Sequence, residues 1–180
     1  MFFYQFFYLF VFFILTIYKY MADFIFTDLN TLISNFPENI NSINKSYIDL
    51  LTQLTITNYI HNDLFFEQIN KIYTNNSKIF IIHKSYPNNP DFIIVATITC
   101  FIEPKIIRNA RFSAHIEDFV VHKEFRNKGL ASKLLSIAKN YATDNNCYKI
   151  LLDCEEKLVP FYNKFGFTEK GRYMTLYIDK

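Results

Sequence analysis

Apolar and polar positions along this chain follow two periods, and each change of period marks an element. Residues 24–27 alternate with period two and predict a first strand. Residues 35–44, which include Pro37, read as a polar loop. In 47–55, Ile48, Leu51, Leu54 and Thr55 fall on one helical face, and Leu64, Phe65, Ile69 and Ile72 do the same in 61–73. Residues 78–84 and 92–102 predict strands. The segment 85–91 between them reads as a turn, because its prolines and asparagines cannot continue a ladder. A strand at 115–121 comes next, then a helix at 129–144 with Leu130, Leu134, Ala138 and Tyr141 inward. A strand at 148–153 should run parallel to the preceding one, because a helix separates the two. A helix at 158–165 and a strand at 172–178 close the pattern.

This order predicts an α/β (α+β) domain with a mixed, mainly antiparallel sheet. The 180 residues suit one domain, and 51% hydrophobic content is enough for a core. Residues 1–20 stand apart from the domain at 21–180: positions 1–18 carry no charge, and Lys19 is the first. As a helix those 18 residues would reach ~27 Å, just short of a ~30 Å hydrocarbon core. Three readings stay open for this leader: a membrane anchor, a dispensable extension before a start at Met21, or a signal peptide. The last fits least, having no basic region before the apolar run and no small-residue cleavage site after it.

A net charge of +2 with scattered basic residues does not favour a nucleic-acid partner. The cysteines, Cys100, Cys147 and Cys154, form no C-x-x-C pair and no zinc-spaced set, so neither disulfides nor a metal is expected. Reduced thiols in a cytosol-facing domain are the simple reading, with Cys147 and Cys154 bracketing a buried strand.

The segment Arg126-Asn127-Lys128-Gly129-Leu130-Ala131 joins the 115–121 strand to the following helix. The first N–H groups of a helix lack internal partners, and the helix dipole makes that end positive. Gly129 and the small Ala131 leave room for close approach, so the loop can cradle a pyrophosphate. An R-x-x-G-x-A match is short, and a plain strand-to-helix turn would carry it equally well.

Together with Phe161-Tyr162-Asn163-Lys164-Phe165-Gly166-Phe167 and the order of elements, that loop resembles the GNAT acetyltransferases. Within them, His115-Ile116-Glu117-Asp118 and the run Cys147 to Cys154 are similar to the eukaryotic glucosamine 6-phosphate N-acetyltransferases. Ile102-Glu103-Pro104-Lys105-Ile106-Ile107 is similar to that group's β-hairpin region, and residues 47–55 to its early helix. The resemblance implies a splayed central parallel pair flanked by helices. Acetyl-CoA would be the co-substrate, with no metal. Phe119, Val120 and Val121 would offer backbone to the pantetheine arm, and Arg126, Asn127, Lys128, Gly129, Leu130 and Ala131 would take the pyrophosphate. Tyr162, Asn163 and Lys164 would complete the coenzyme contacts.

It also implies that Tyr162 protonates the departing thiolate. A phenol near pKa ~10 can do this for a thiol near ~8.5. Glu117 and Asp153 are the further catalytic candidates, beside the substrate amine. Thr55, Lys105, Ile106, Ile107, Arg108, Glu117, Asp118, Tyr148, Lys149 and Asp153 would bind glucosamine 6-phosphate. Neighbouring strand residues face opposite ways, so Glu117 and Asp118 share a pocket only if a bulge intervenes. The resemblance further implies a homodimer with exchanged C-terminal strands, whose partner lends an Arg to the phosphate. Here Leu176 and Tyr177 stand at those positions, which leaves Arg108 or Arg172 as the replacement. Two other functions remain on the sequence: acetylation of a different amine (a protein N-terminus or a polyamine), and a non-catalytic, membrane-tethered acyl-CoA-binding module.

Overall fold

Five strands form one sheet in chain order, β1 (Ile25–Asp28), β2 (Lys78–Tyr86), β3 (Asn89–Pro104), β4 (Phe112–Val121) and β5 (Cys147–Leu152). The structure is a computed structural model and describes residues 24–86 and 89–178. The leader at 1–20, with the three readings attached to it, lies outside the described residues. All strand pairs are antiparallel except β4 with β5, which are parallel as the intervening helix required.

That helix, α4 (Leu130–Asp144), lies on one face of the sheet, where Leu130, Leu134 and Ala138 pack against Ile82, Ile98, Cys100 and Ile116. The opposite face is covered by α1 (Leu29–Asn35), α2 (Ile40–Leu51) and α3 (Asn62–Tyr73). There Leu32, Ile43, Leu50, Phe65 and Ile69 meet Ile79, Ile81 and Ile94. Successive strand residues point to opposite faces, and both faces are covered, so Ile79, Ile81 and Ile82 are all buried. Leu64, expected inward on α3, is exposed, and Phe65 and Ile69 carry the contact.

The polar loop expected at 35–44 is for the most part helix. A 3₁₀ turn at Pro37–Asn39 leads straight into α2, which ends at Leu51 and leaves Leu54 and Thr55 in the turn beyond it. Polar residues hold α2 through tertiary bonds. The buried Asn44 donates to Ile60 O (3.0 Å) and Asn62 Oδ1 (2.8 Å). Where β3 runs past the end of β4, Phe92 N–H donates to Ser42 Oγ (3.1 Å) and Ile94 N–H to Ser46 Oγ (2.8 Å). Serines thereby meet edge groups that would otherwise be open to another strand. Before α2, α1 starts at Asp28, whose carboxylate accepts from Thr31 N–H (3.1 Å) and Thr31 Oγ1 (2.7 Å).

The turn expected at 85–91 is shorter than predicted. The β2–β3 ladder reaches Tyr86 paired with Asn89, and a register shift between Lys84 and Tyr86 absorbs Pro90. β5 is half-exposed, so Cys147 and Cys154 do not bracket a buried strand. The helix expected at 158–165 is a 3₁₀ turn, Glu156–Leu158, followed by α5 (Val159–Asn163). The closing strand expected at 172–178 does not form within the described chain. It has no neighbour to pair with, and Tyr173, Met174, Leu176, Tyr177 and Ile178 are 72–90% exposed.

Candidate active site

β4 and β5 pair from Phe112 with Cys147 to Ile116 with Leu152, and then they part. β5 stops at Leu152, whereas β4 continues to Val121 held by β3. On the β3 side Thr99 pairs with Glu117 and Thr97 with Val120, so Asp118 and Phe119 together oppose Ile98. This is a bulge, and Asp118 adopts φ 49° to make it. A left-handed conformation costs a residue with a Cβ roughly 1–2 kcal/mol, which the flanking ladder must outweigh.

Beyond the gap, the chain turns through Arg126 to Gly129 into α4. Asn127 (φ 61°) and Gly129 (φ 76°) are both left-handed, the kind of backbone from which anion-binding nests are built. No side chain caps α4. A Cβ at Gly129 would meet nothing within 4 Å, so the glycine is there for its backbone angle, and the space before the helix is open. Arg126 Nε donates to Val121 O (3.1 Å) and ties the loop to the last residue of β4. Leu130 is buried in the core, so its side chain anchors the helix. Lys128 stacks on the Phe125 ring at 5.2 Å.

Tyr162 on α5 is buried beside the same gap, with Phe119 6.4 Å away and Phe161 and Phe167 on its other sides. Burial, and then Cys154 nearby, push its phenol up to about 12. The group therefore stays protonated at neutral pH and is available as a proton donor. Asn163 and Lys164 are exposed at the end of this helix.

A cluster of charge sits where the strands part. His115 and Glu117 lie two apart on β4 and so share a face. His115 Nε2 is 3.3 Å from Glu117 Oε1 and 3.8 Å from Asp153 Oδ2, and its Nδ1 is 3.6 Å from Glu103 Oε1. Glu103 in turn accepts from Lys105 Nζ (2.6 Å) and Ser113 Oγ (3.2 Å). The Lys105 bond keeps the Glu103 carboxyl below its ordinary value. Burial pushes Glu117 up, His115 opposes this, and Asp118 and Asp153 push it up further. Ligand atoms of His115, Glu117 and Asp153 lie within 4.8 Å of one another, close enough to enclose a small cation.

The bulge separates the two neighbouring carboxylates. Asp118 is electrostatically coupled to the buried Tyr47, whose phenol is raised by burial and then by Asp118. The Asp118 carboxyl is itself raised by burial.

A second cluster is cationic. Arg108 lies over the Tyr148 ring at 5.9 Å and Lys149 over it at 5.5 Å. Arg108, Asn109 and Ala110 are all left-handed, which directs this hairpin turn back toward β5. Three expected substrate contacts join neither cluster: Ile106 and Ile107 are exposed at 97% and 65%, and the exposed Thr55 bonds to Leu51 O. Sequence reasoning missed His115 and Glu103 as site residues. The signal was present in the H-x-E spacing at 115 and 117 and in the hairpin register, which pairs Glu103 with Ser113 and so sets it diagonal to His115.

A parted parallel strand pair beside an uncapped helix start defines the acyltransferase architecture that the sequence foreshadowed, and comparison agrees. Residues 45–167 match the acetyltransferase (GNAT) family, and the chain belongs to that family. It is 35% identical over 147 residues to glucosamine 6-phosphate N-acetyltransferase 1 of Dictyostelium discoideum, covering 81% of this chain and 91% of that one. It is likewise 35% identical over 138 residues to the glucosamine 6-phosphate N-acetyltransferase of Arabidopsis thaliana, covering 75% of this chain and 89% of that protein. The crystal structure of the Arabidopsis thaliana enzyme superimposes with a TM-score of 0.71 at 32% identity, covering 87% of this chain and 99% of that one.

The half-buried Asp118 yields a prediction about stability. Its folded pKa lies above the ordinary 3.8, so desolvating the carboxyl costs nothing below that value; the cost builds as pH rises from there and is fully present above the folded pKa. Asp118→Asn removes the charge, so the variant should gain stability over the native chain at pH 7 and lose that gain at pH 3. Thermal melts at the two pH values check this. An equal difference at both would show that the Asp118 charge is not under strain.

Proposed function

We propose that this chain transfers the acetyl group of acetyl-CoA to the 2-amine of glucosamine 6-phosphate, giving N-acetylglucosamine 6-phosphate and CoA, a step toward UDP-N-acetylglucosamine. The observation that carries the reading is the gap between β4 and β5, which opens at one end on the Gly129 loop and runs past Phe119 and Tyr162. The Glu117–Asp153 carboxylates stand where the strands part, and the Arg108 and Lys149 cations lie over Tyr148 near the start of β5. Those cations favour an anionic amine over a polyamine.

In this reading Phe119, Val120 and Val121 present backbone to the pantetheine arm, because no strand pairs with them on that side among the described residues. The free N–H groups from Gly129 to Ala131 take the diphosphate, with Asn127 shaping the nest and Arg126 and Lys128 adding positive charge. Glu117 and Asp153 accept hydrogen bonds from the amine, which attacks the thioester carbonyl as the neutral base; the proton the nitrogen sheds in the adduct passes to solvent, which afterwards reprotonates Tyr162. When the tetrahedral adduct collapses, the sulfur leaves as thiolate and Tyr162 donates to it. A phenol raised to about 12 is a weak acid toward a free thiol, but the dry surroundings that raise it raise the sulfur as well. Asp118 sets the bulge and lies on the sugar side.

Tyr162→Phe tests the core of this scheme. Turnover, followed as free CoA released with glucosamine 6-phosphate, should fall about a hundredfold or more, while acetyl-CoA binding by calorimetry stays unchanged. Undiminished turnover would overturn the acid assignment, and no CoA release from the native chain would overturn the substrate.

Arg108 takes the phosphate in place of the Arg that Leu176 and Tyr177 displace, because it already stands with Lys149 over Tyr148. Lys105 is spoken for by Glu103, and Arg172 is exposed in the tail. Arg108→Ala should raise the KM for the sugar phosphate about tenfold with kcat nearly constant. A KM that does not move assigns the phosphate elsewhere.

The active species is a homodimer in this reading. The exposed apolar residues of 173–178 and the outer edge of β5, unpaired among the described residues, each need a partner. Light scattering should give twice the chain mass of 21.5 kDa, and a monomer would refute the exchange. The domain at 21–180 is placed in the cytosol, where its three free thiols stay reduced, with the leader at 1–20 as a membrane tether if it is retained. No helix of the described residues is long and apolar enough to cross a membrane.

A further inference from the structure

The loop that cradles the diphosphate in this reading is held from outside as well as by its own turns. The ladder of β4 ends at Val121, and the next N–H, of His122, donates to Val95 O (2.8 Å). A 3₁₀ turn, Lys123–Phe125, follows and is closed by Phe125 N–H donating to His122 O (2.8 Å). The first N–H of such a turn has no partner inside it. That group, Lys123 N–H, donates to Gln53 Oε1 at 2.9 Å, from a residue 70 positions away. Gln53 stands two residues past α2, in a turn fixed by Gln53 N–H to Leu50 O (3.1 Å) and Leu54 N–H to Leu51 O (2.9 Å). α2 is fastened to β3 through Ser42 and Ser46 and buries Leu50 in the core. Gln53 therefore carries the frame of the sheet and α2 to the start of the Gly129 loop.

We propose that Gln53 is a positioning residue for the acyl donor: by holding Lys123 N–H it sets the Gly129 loop at a fixed place relative to the free edge of β4 before acetyl-CoA arrives. This rests on the acetyl-transfer reading above. In that reading one molecule reaches from the diphosphate at the loop to the thioester where β4 and β5 part, so the two ends of its site must keep one separation. A loop already held in the binding geometry gives up less freedom when the ligand enters. The Gln53 bond is exposed, and a single exposed hydrogen bond adds little to global stability, so its effect falls on where the loop stands. Arg126, bonded to Val121 O at 3.1 Å, holds the far side of the same turn to β4. Gln53 need not touch the coenzyme, because it acts through the main chain of Lys123.

The test compares two acyl donors, acetyl-CoA and S-acetylpantetheine, which carries the same thioester arm without the diphosphate. Thiol release with saturating glucosamine 6-phosphate is followed for the native chain, for Gln53→Met, which keeps the length of the side chain but not the acceptor, and for Gln53→Ala. Both variants should lose about fivefold in kcat/KM for acetyl-CoA, through KM, with kcat nearly constant. Their kcat/KM for S-acetylpantetheine should match the native value, which also reports that they are folded. If both donors lose alike, Gln53 serves the fold in general and the inference fails; it fails too if acetyl-CoA loses nothing. A native chain that uses the two donors equally well overturns the diphosphate cradle and this inference with it. A native chain that releases thiol only with a different amine overturns the sugar substrate alone, and the same donor comparison run with that amine still decides the role of Gln53.

Discussion

The parting of β4 from β5 after Ile116 and Leu152 is the constraint on which the site depends. Up to that pair the two strands form a parallel ladder with one register shift, between Phe112 and Ala114, and α4 covers one face of it. Beyond it, β4 keeps only β3 as a partner and carries unpaired backbone along one side. Backbone groups left unpaired and dry cost about as much as a lost hydrogen bond, so a gap of this kind persists only if something polar can enter it. The bulge at Asp118 and Phe119 takes part in the same arrangement, because the extra residue bends β4 away from the line that β5 follows.

Several local choices run against stability in the same neighbourhood. Asp118 is a left-handed, desolvated carboxylate, and Arg108, Asn109 and Ala110 form a left-handed turn without a glycine. α4 begins with no side-chain cap. Each would be improved by an obvious substitution, and each borders the gap or one of the two charge clusters. The rest of the fold follows the usual rules: an aspartate cap on α1, serines on the edge of β3, and two apolar layers around the sheet. Strain gathered along β4 and in the turns before and after it is the pattern expected where binding, and not folding, sets the local geometry.

Much of this was legible in the residues. The strands around Ile79, Ile98 and Ile116, the α4 face with Leu130, Leu134 and Ala138, and the loop at Gly129 all declare themselves through period and composition. The start of α2 did not, because its asparagines and serines look like loop residues until their partners are known. Asn44 reaches Ile60 and Asn62, and Ser42 and Ser46 reach β3, none of them neighbours in the chain. The extended ladder into Asn89 was hidden by Pro90, which a register shift accommodates. The tail at 172–178 has the alternation of a strand, but a strand is a relation between two segments and no second segment lies beside it. The site divides in the same way: Tyr162 and the Gly129 loop carry local signatures, whereas His115 gains its meaning from Glu103 and Asp153, on other strands.

The sequence by itself determined the order and type of most elements, the parallel pairing of β4 with β5, and the loop where α4 begins. These follow from short-range periodicity, from glycine's backbone freedom and from the handedness of a crossover. Only the tertiary structure decided where the two strands part, how the bulge sends Glu117 and Asp118 to different surroundings, and which carboxylates surround His115. The physical reason is that spacing along a chain specifies which face a side chain takes, while the charge it meets there depends on segments tens of residues away.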